Sequence, residues 1–199
     1  MKFYINKAFL CFIYLFLTTL TAIVAITLPN NLLFLKIVIA ILDIGLYAFW
    51  IGSFGYHTGY ESVKTLYAND AIRRQMVETG NYMPIKKAEE YKWWKGFFIG
   101  FLTSVPLIIL WIIHLTTIAV TGESTSIVGG LTIILYLVVV LFFNLDVNSL
   151  TGATGFFYTG LYFPFVILTF GVLYIIGAKK SKALFLTIEK KDKEIHGEK

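Results

Sequence analysis

Long apolar runs dominate the chain, and one polar stretch interrupts them. The apolar runs cover residues 8–28, 32–54, 96–118, 127–143 and 156–177. Most of these runs have the length, about 20 residues, that an α-helix needs to cross the hydrocarbon core of a bilayer. The pattern therefore predicts an all-α, polytopic transmembrane bundle with about five membrane helices.

The polar stretch divides the chain into four parts. Residues 1–54 are expected to form a transmembrane hairpin, and residues 55–95 a polar segment at the cytoplasmic surface. Residues 96–178 are expected to form three further membrane helices, and residues 179–199 a basic tail. The first run is interpreted as an uncleaved span, because its apolar core is longer than that of a signal peptide.

Three glycines predict that the second span ends near the start of the polar segment. Gly52, Gly55 and Gly59 lie close together, and glycine is common where helices stop and turn. One or two short interfacial helices are expected beyond them, one capped by Ser62 and one by Asp70. Their basic side chains either face lipid headgroups or a partner or belong to a solvated linker with no such specificity.

Composition supports a membrane protein and excludes a soluble globular domain. Apolar residues make up 57% of the chain and charged residues 15%, and a soluble fold has too few polar groups to cover that much apolar surface. The net charge of +5 is gathered in blocks beside the apolar runs. That arrangement favours anionic lipid headgroups over nucleic acid as the partner of these charges.

The distribution of lysine and arginine leaves the side of the tail open. Five crossings would put nine basic residues on one face and eight on the other, so the preference for positive charge in cytoplasmic loops does not orient the chain. If residues 127–143 enter the membrane and return on the same side, the division becomes sixteen against one. We expect a cytoplasmic polar segment in either case.

Asp43 is the most unusual polar residue in the apolar runs. It lies near the middle of the second run, where an aspartate costs about 2.5–3.5 kcal/mol on insertion scales. It is either a proton, cation or substrate site or a buried hydrogen-bonding group that joins helices. His114 is a second candidate for an intramembrane polar site that could pair with a carboxylate across helices, although an interfacial hydrogen bond is the favoured explanation.

Two other groups of residues are candidates for contacts. A row of small side chains at the start of the third run favours close packing by another helix; it consists of Gly96, Gly100 and Ser104. A candidate surface for lipid or a partner consists of Arg73, Arg74, Lys86, Lys87, Lys92, Trp93, Trp94 and Lys95.

Catalytic and cofactor signatures are missing from the sequence. The three histidines are scattered, and no H-x-x-x-H, H-E-x-x-H or C-x-x-C spacing occurs, so we expect neither a metal nor another cofactor. There is also no G-x-S-x-G elbow and no phosphate-binding glycine loop. Cys11 is the only cysteine and is expected to be a buried thiol.

The region from Gly55 to Ile112 resembles a group of small, uncharacterised bacterial multi-pass membrane proteins. The resemblance rests on Gly55-Tyr56, a polar linker, and then Lys95-Gly96-Phe97 followed by Gly100, Ser104 and Pro106. It covers less than a third of the chain. Since that group has no established activity, the resemblance implies a helical membrane fold and no particular chemistry.

These observations favour a non-enzymatic protein of the cell membrane that acts by binding, as an accessory or a lipid- or partner-sensing subunit. Its expected partners are the bilayer, with its anionic lipids, and another membrane protein. The alternative is a small transporter or channel component that uses Asp43, which predicts a cation-coupled flux that Asp43→Asn abolishes. A membrane enzyme is a third hypothesis, and it requires an activity that depends on Asp43 or His114.

Overall fold

All regular elements in the described residues are helical. The computed structural model describes residues 2–28, 32–122, 160 and 162–196, and these residues contain no strand. The helices are α1 (Lys2–Thr27), α2 (Leu33–Thr79), α3 (Lys95–Thr121) and α4 (Tyr162–His196). The prediction of an all-α fold is confirmed for this part of the chain.

Two of the described helices are long and apolar enough to cross a membrane. They are α3, Lys95–Thr121, and the portion of α4 from Phe163 to Lys191. The third run, predicted for residues 96–118, therefore corresponds closely to α3. The predicted fourth segment, residues 127–143, and the polar turn that follows it lie outside the described residues.

The second helix continues far into the polar segment. α2 has 47 residues, which corresponds to a length of about 70 Å. The predicted helix end at Gly52–Gly59 is therefore wrong, and so are the separate interfacial helices, because Ser62 and Asp70 both lie inside α2. The change from apolar to polar composition takes place along a single helix that continues in the same direction.

The glycines of α2 serve as contact points for α4. A Cβ atom on Gly59 would lie 1.9 Å from the carbonyl oxygen of Tyr174, and one on Gly177 would lie 2.0 Å from the carbonyl oxygen of Tyr56. Since real Cβ atoms do not approach other atoms so closely, only glycine allows the two backbones to touch at both positions. The crossing therefore depends on one glycine from each helix.

The contacts also define the direction of each helix. Gly55 contacts Phe170 and Tyr67 stacks on Phe185, further along both helices; α2 and α4 are therefore parallel. Tyr4, at the start of α1, stacks on Trp94, immediately before α3. The chain thus leaves this end in α1, returns in α2, leaves again in α3 and returns in α4.

We call this end of the bundle the charged end. It consists of the first turns of α1 and α3, residues 58–79 of α2, residues 80–94, and residues 174–196 of α4. The opposite end contains the start of α2 and the end of α3. Gly160, two residues before α4, contacts Trp111 in the second half of α3. The start of α4 therefore lies toward the opposite end of the bundle.

A small core lies between the four helices. Cys11, Tyr47, Ile99 and Phe170 are fully or almost fully buried there, one from each helix. Many large apolar side chains point outward instead, as Phe34 does with 80% of its surface exposed. Apolar side chains on the outside of a helical bundle are typical of contact with lipid.

Candidate binding surface at the charged end

Residues 80–94, which we call the connecting segment, fold back along α2 before α3 begins. Gly80 ends α2 in the left-handed conformation, with φ of 70°, which glycine adopts without strain. Further along, the backbone N–H of Tyr91 donates to the carbonyl oxygen of Ser62 at 3.0 Å. The segment therefore retraces several turns of α2.

Glu90 holds the connecting segment to α2. Its side chain is buried, with the residue 8% exposed, and it accepts hydrogen bonds from Asn69 Nδ2 at 2.8 Å and from Arg73. Arg73 also bonds to Asp70, and the hydrogen bond with Asp70, together with Glu90, raises the pKa of Arg73. Asn69 in addition accepts from the backbone N–H of Lys86 at 3.2 Å.

Lys95 closes the other end of the connecting segment. It is 1% exposed, and its Nζ donates to the carbonyl oxygens of Ala88 at 2.7 Å and Glu90 at 2.6 Å. The Tyr4 ring centroid lies 5.6 Å from the same nitrogen, a distance that permits a cation–π contact. The prediction that Lys95 belongs to an exposed surface is therefore wrong, because the segment folds over its ammonium group.

Aromatic contacts join the connecting segment to α1 and α4. Tyr91 stacks on Tyr174 of α4 with ring centroids 5.6 Å apart, and burial raises the pKa of Tyr91. Tyr4 of α1 contacts both Trp94 and Phe98. All four helices thus contribute to holding the segment in place.

The remaining basic residues of the predicted surface point outward. Arg74, Lys86, Lys87 and Lys92 are exposed, and the two tryptophans that follow are 65% (Trp93) and 39% (Trp94) exposed. Arg73 differs from this group because it bonds to two carboxylates. The charged end therefore combines a buried polar network with an exposed basic and aromatic outer surface.

A small cleft lies beside this network, between α1, α2 and the connecting segment. Its volume is about 80 Å³, enough for a few water molecules. Lys7 lies at its edge with Nζ 5.1 Å from the centroid of the Phe54 ring. The lining residues are Phe3, Lys7, Thr58, Glu61, Ser62, Thr65 and Glu89.

The row of small residues in α3 faces α4. A Cβ atom on Gly96 would lie 2.6 Å from the Cβ atom of Tyr174, and one on Gly100 would lie 2.9 Å from the Cα atom of Ile167. Ser104 is fully buried and donates to the carbonyl oxygen of Gly100 at 3.0 Å. Gly96 and Gly100 therefore let α3 approach α4 closely.

The two intramembrane candidates lie in different helices. Asp43 is in the first half of α2, and His114 is fully buried in the second half of α3. Among the described residues, no three His, Cys, Asp or Glu side chains form a group that could hold a metal ion. Transport through Asp43 stays a prediction.

Sequence reasoning missed the residues that organise the network. Asn69 and Glu90 are 21 positions apart, so no helical or strand periodicity relates them. Tyr4 lies in a different helix from the lysine that it contacts. One signal was present, since Glu90 stands among several lysines and an acid in such surroundings commonly pairs with a basic group.

The chain has no match in comparisons with known proteins. It matches no protein-family model, no curated protein and no solved structure. The resemblance of residues 55–112 to small bacterial membrane proteins stays a prediction.

Proposed function

We propose that the chain is a non-enzymatic, multi-pass protein of the cell membrane that acts by binding, and that the charged end is its binding surface. It would serve as an accessory or sensing subunit whose partners are anionic lipids and another membrane protein. The observation that supports this most directly is the connecting segment. Buried bonds to Glu90 and Lys95 hold the segment in one conformation, while its other lysines face outward.

A preformed surface favours binding because less conformational entropy is lost when a partner docks. Fixing one flexible residue costs about 1–2 kcal/mol, so a segment that is already ordered avoids a large unfavourable contribution. The same network has no evident catalytic use, because its carboxylates bond to Arg73 and Asn69.

The proposed orientation places the charged end in the cytoplasm. Among the sixteen basic residues in the described part of the chain, two lie in the first turns of α1, seven between residues 64 and 95, and six between 179 and 193. Only Lys36 lies near the opposite end. This asymmetry supports a cytoplasmic charged end, because lysine and arginine are enriched on that side.

The alternating directions of the helices support an even number of crossings. The end of α3 and the start of α4 lie toward the same end of the bundle, and the four described helices run in alternating directions. We therefore propose an even number of crossings. The tail and the connecting segment then share the cytoplasmic side.

Cysteine labelling of intact cells tests this topology. In a Cys11→Ser background, Thr187→Cys places a thiol on the exposed tail and Val120→Cys places one at the opposite end, where Val120 is 85% exposed. A membrane-impermeant maleimide should label the Val120→Cys thiol in intact cells and the Thr187→Cys thiol only after lysis. Labelling of the tail in intact cells would contradict the proposed orientation.

Site-specific photo-crosslinking in native membranes tests the binding function. A crosslinker at exposed Lys87 should capture a protein or a lipid, whereas one at Ile109 of α3, which is 52% exposed, serves as a control on the membrane-facing surface. Recovery of the monomer alone from the Lys87 position, together with no lipid preference, would refute the proposal.

A further inference from the structure

Part of the positive charge at the charged end has no ionic partner within the described residues. Asp70 and Glu90 both pair with Arg73, and Glu61 pairs with Lys64. In the same described ranges, Lys86, Lys87 and Lys92 form no salt bridge. We call these three lysines, together with Trp93 and Trp94, the basic edge.

The basic edge lies at the level where an apolar helix begins. α3 starts at Lys95, directly after Trp94, and its sequence is apolar enough to cross a membrane. Exposed tryptophans are enriched at this depth because their rings suit the boundary between water and hydrocarbon. In a membrane that α3 crosses from Lys95 onward, ammonium groups beside these tryptophans would stand near the height of lipid phosphates.

The chemistry of these groups fits a phosphate ligand. A lysine ammonium is a compact charge with three hydrogen-bond donors, and it binds phosphate oxygens well. Lys95 cannot contribute, because its ammonium group is already bonded to two carbonyl oxygens. Lys95 and Arg73 are bonded internally, whereas the three lysines of the connecting segment, Lys86, Lys87 and Lys92, are available to a ligand.

We propose that the basic edge binds the headgroups of anionic phospholipids, with Trp93 and Trp94 anchoring it at the interface. This inference rests on the proposed binding function and names lipid as the occupant of this part of the surface. The position of Trp93 and Trp94 directly before α3 favours lipid over an acidic protein segment as the ligand. Binding of a protein segment would not require two exposed tryptophans at the depth of the headgroups.

Lipid-selective fluorescence quenching tests the proposal on the full-length chain. The protein, with Trp50 and Trp111 changed to phenylalanine, is reconstituted into phosphatidylcholine bilayers that contain increasing amounts of a nitroxide-labelled lipid. The label is carried near the carbonyl end of an acyl chain, either on phosphatidylglycerol or on phosphatidylcholine. The ratio of the two quenching curves gives the preference of the basic edge for the anionic lipid.

A triple variant of the basic edge, with Lys86, Lys87 and Lys92 changed to glutamine, should reduce this preference. One basic residue near an anionic surface corresponds to about a fivefold change in affinity, so we expect the preference to fall about fivefold or more. The matched control changes three tail lysines at positions 190, 191 and 193. Lys190 lies about 18 Å along α4 from Ala178, the last residue before the basic tail. This distance exceeds the Debye length of about 8 Å at physiological salt, so these tail charges should interact only weakly with headgroups at the start of the tail.

The outcomes separate this inference from the proposed function. A clear preference that falls in the basic-edge variant and persists in the tail control supports lipid binding. No preference in the starting protein, or an equal fall in both variants, overturns it. If preference is absent but Lys87 still crosslinks to a protein, the binding function stands and its partner is a protein. The lysine substitutions are at exposed positions or in the tail, whereas Trp50 and Trp111 are partly buried. Monodispersity in detergent therefore checks that the starting protein and each variant fold.

Discussion

Replacing Glu90 by alanine should release the connecting segment from α2 without unfolding the bundle. The carboxylate accepts bonds from Asn69 and Arg73, and alanine offers neither of them an acceptor. Asn69 is only 3% exposed, so its amide would be left buried without this partner. The free energy of locally opening the segment should therefore decrease.

The structure indicates the size of this decrease. Leaving a buried polar group without its partner costs about 1–3 kcal/mol. The ion pair with Arg73 adds little to this cost, because the arginine side chain is 36% exposed and solvent screens the pair. Taking about 2 kcal/mol for the local opening, amide exchange through that opening should become about thirtyfold faster.

Hydrogen–deuterium exchange with mass spectrometry measures this change directly. The amides to follow are those of Tyr91, which donates to the carbonyl oxygen of Ser62, and Lys86, which donates to Asn69. Peptides from α3 should exchange as in the unmodified protein, because the helix keeps its own hydrogen bonds. The effect should thus be confined to the connecting segment.

Two further variants make the test selective. Glu90→Gln keeps a carbonyl oxygen for Asn69 and loses only the charge, so we expect at most about a fivefold increase in exchange. Glu89→Ala changes the neighbouring acid, which is partly exposed, and should have little effect. Unchanged exchange in Glu90→Ala, or an equal increase in Glu89→Ala, would refute the role given to Glu90.

Two other substitutions test the helix crossing and the buried lysine. Gly59→Ala would place a methyl group 1.9 Å from a carbonyl oxygen of α4, so the temperature of the thermal transition in detergent should fall by several degrees or the fold should be lost. In the control variant Gly45→Ala, the added methyl group meets nothing within 4 Å, so the transition temperature should stay unchanged or rise slightly. Equal behaviour of the two variants would contradict the crossing. Lys95→Met removes two hydrogen bonds to carbonyl oxygens and should speed proteolysis within the connecting segment, whereas Lys92→Met should not. A segment that remains protected without Lys95 would show that Glu90 alone holds it.

The elements of the fold follow from the apolar pattern, while their contacts do not. The third run was predicted at residues 96–118, and α3 spans Lys95–Thr121. The second run begins at residue 32, and α2 begins at Leu33. Such agreement is expected, because long apolar runs leave the backbone few alternatives to helix within a bilayer.

The glycines of α2 show why the rest could not be predicted. Gly55 and Gly59 were interpreted as a helix end, because glycine has little preference for helix. Glycine also lets two helices touch, and only the position of α4 distinguishes these uses. Similarly, Lys95 beside two tryptophans has the pattern of an exposed interface residue, and its burial depends on carbonyl groups that the connecting segment supplies after folding back.

The pairing of α2 with α4 has a consequence for the order in which the protein can assemble. Residues such as Gly55 and Phe170 meet across a separation of more than a hundred positions, so α2 is synthesised and inserted long before its partner exists. Until α4 arrives, the glycine face of α2 is uncovered and Tyr91 lacks the ring of Tyr174 on which it stacks. Assembly of the charged end is therefore a late event of biogenesis, and nascent chains stopped before α4 should be short-lived substrates for membrane proteases.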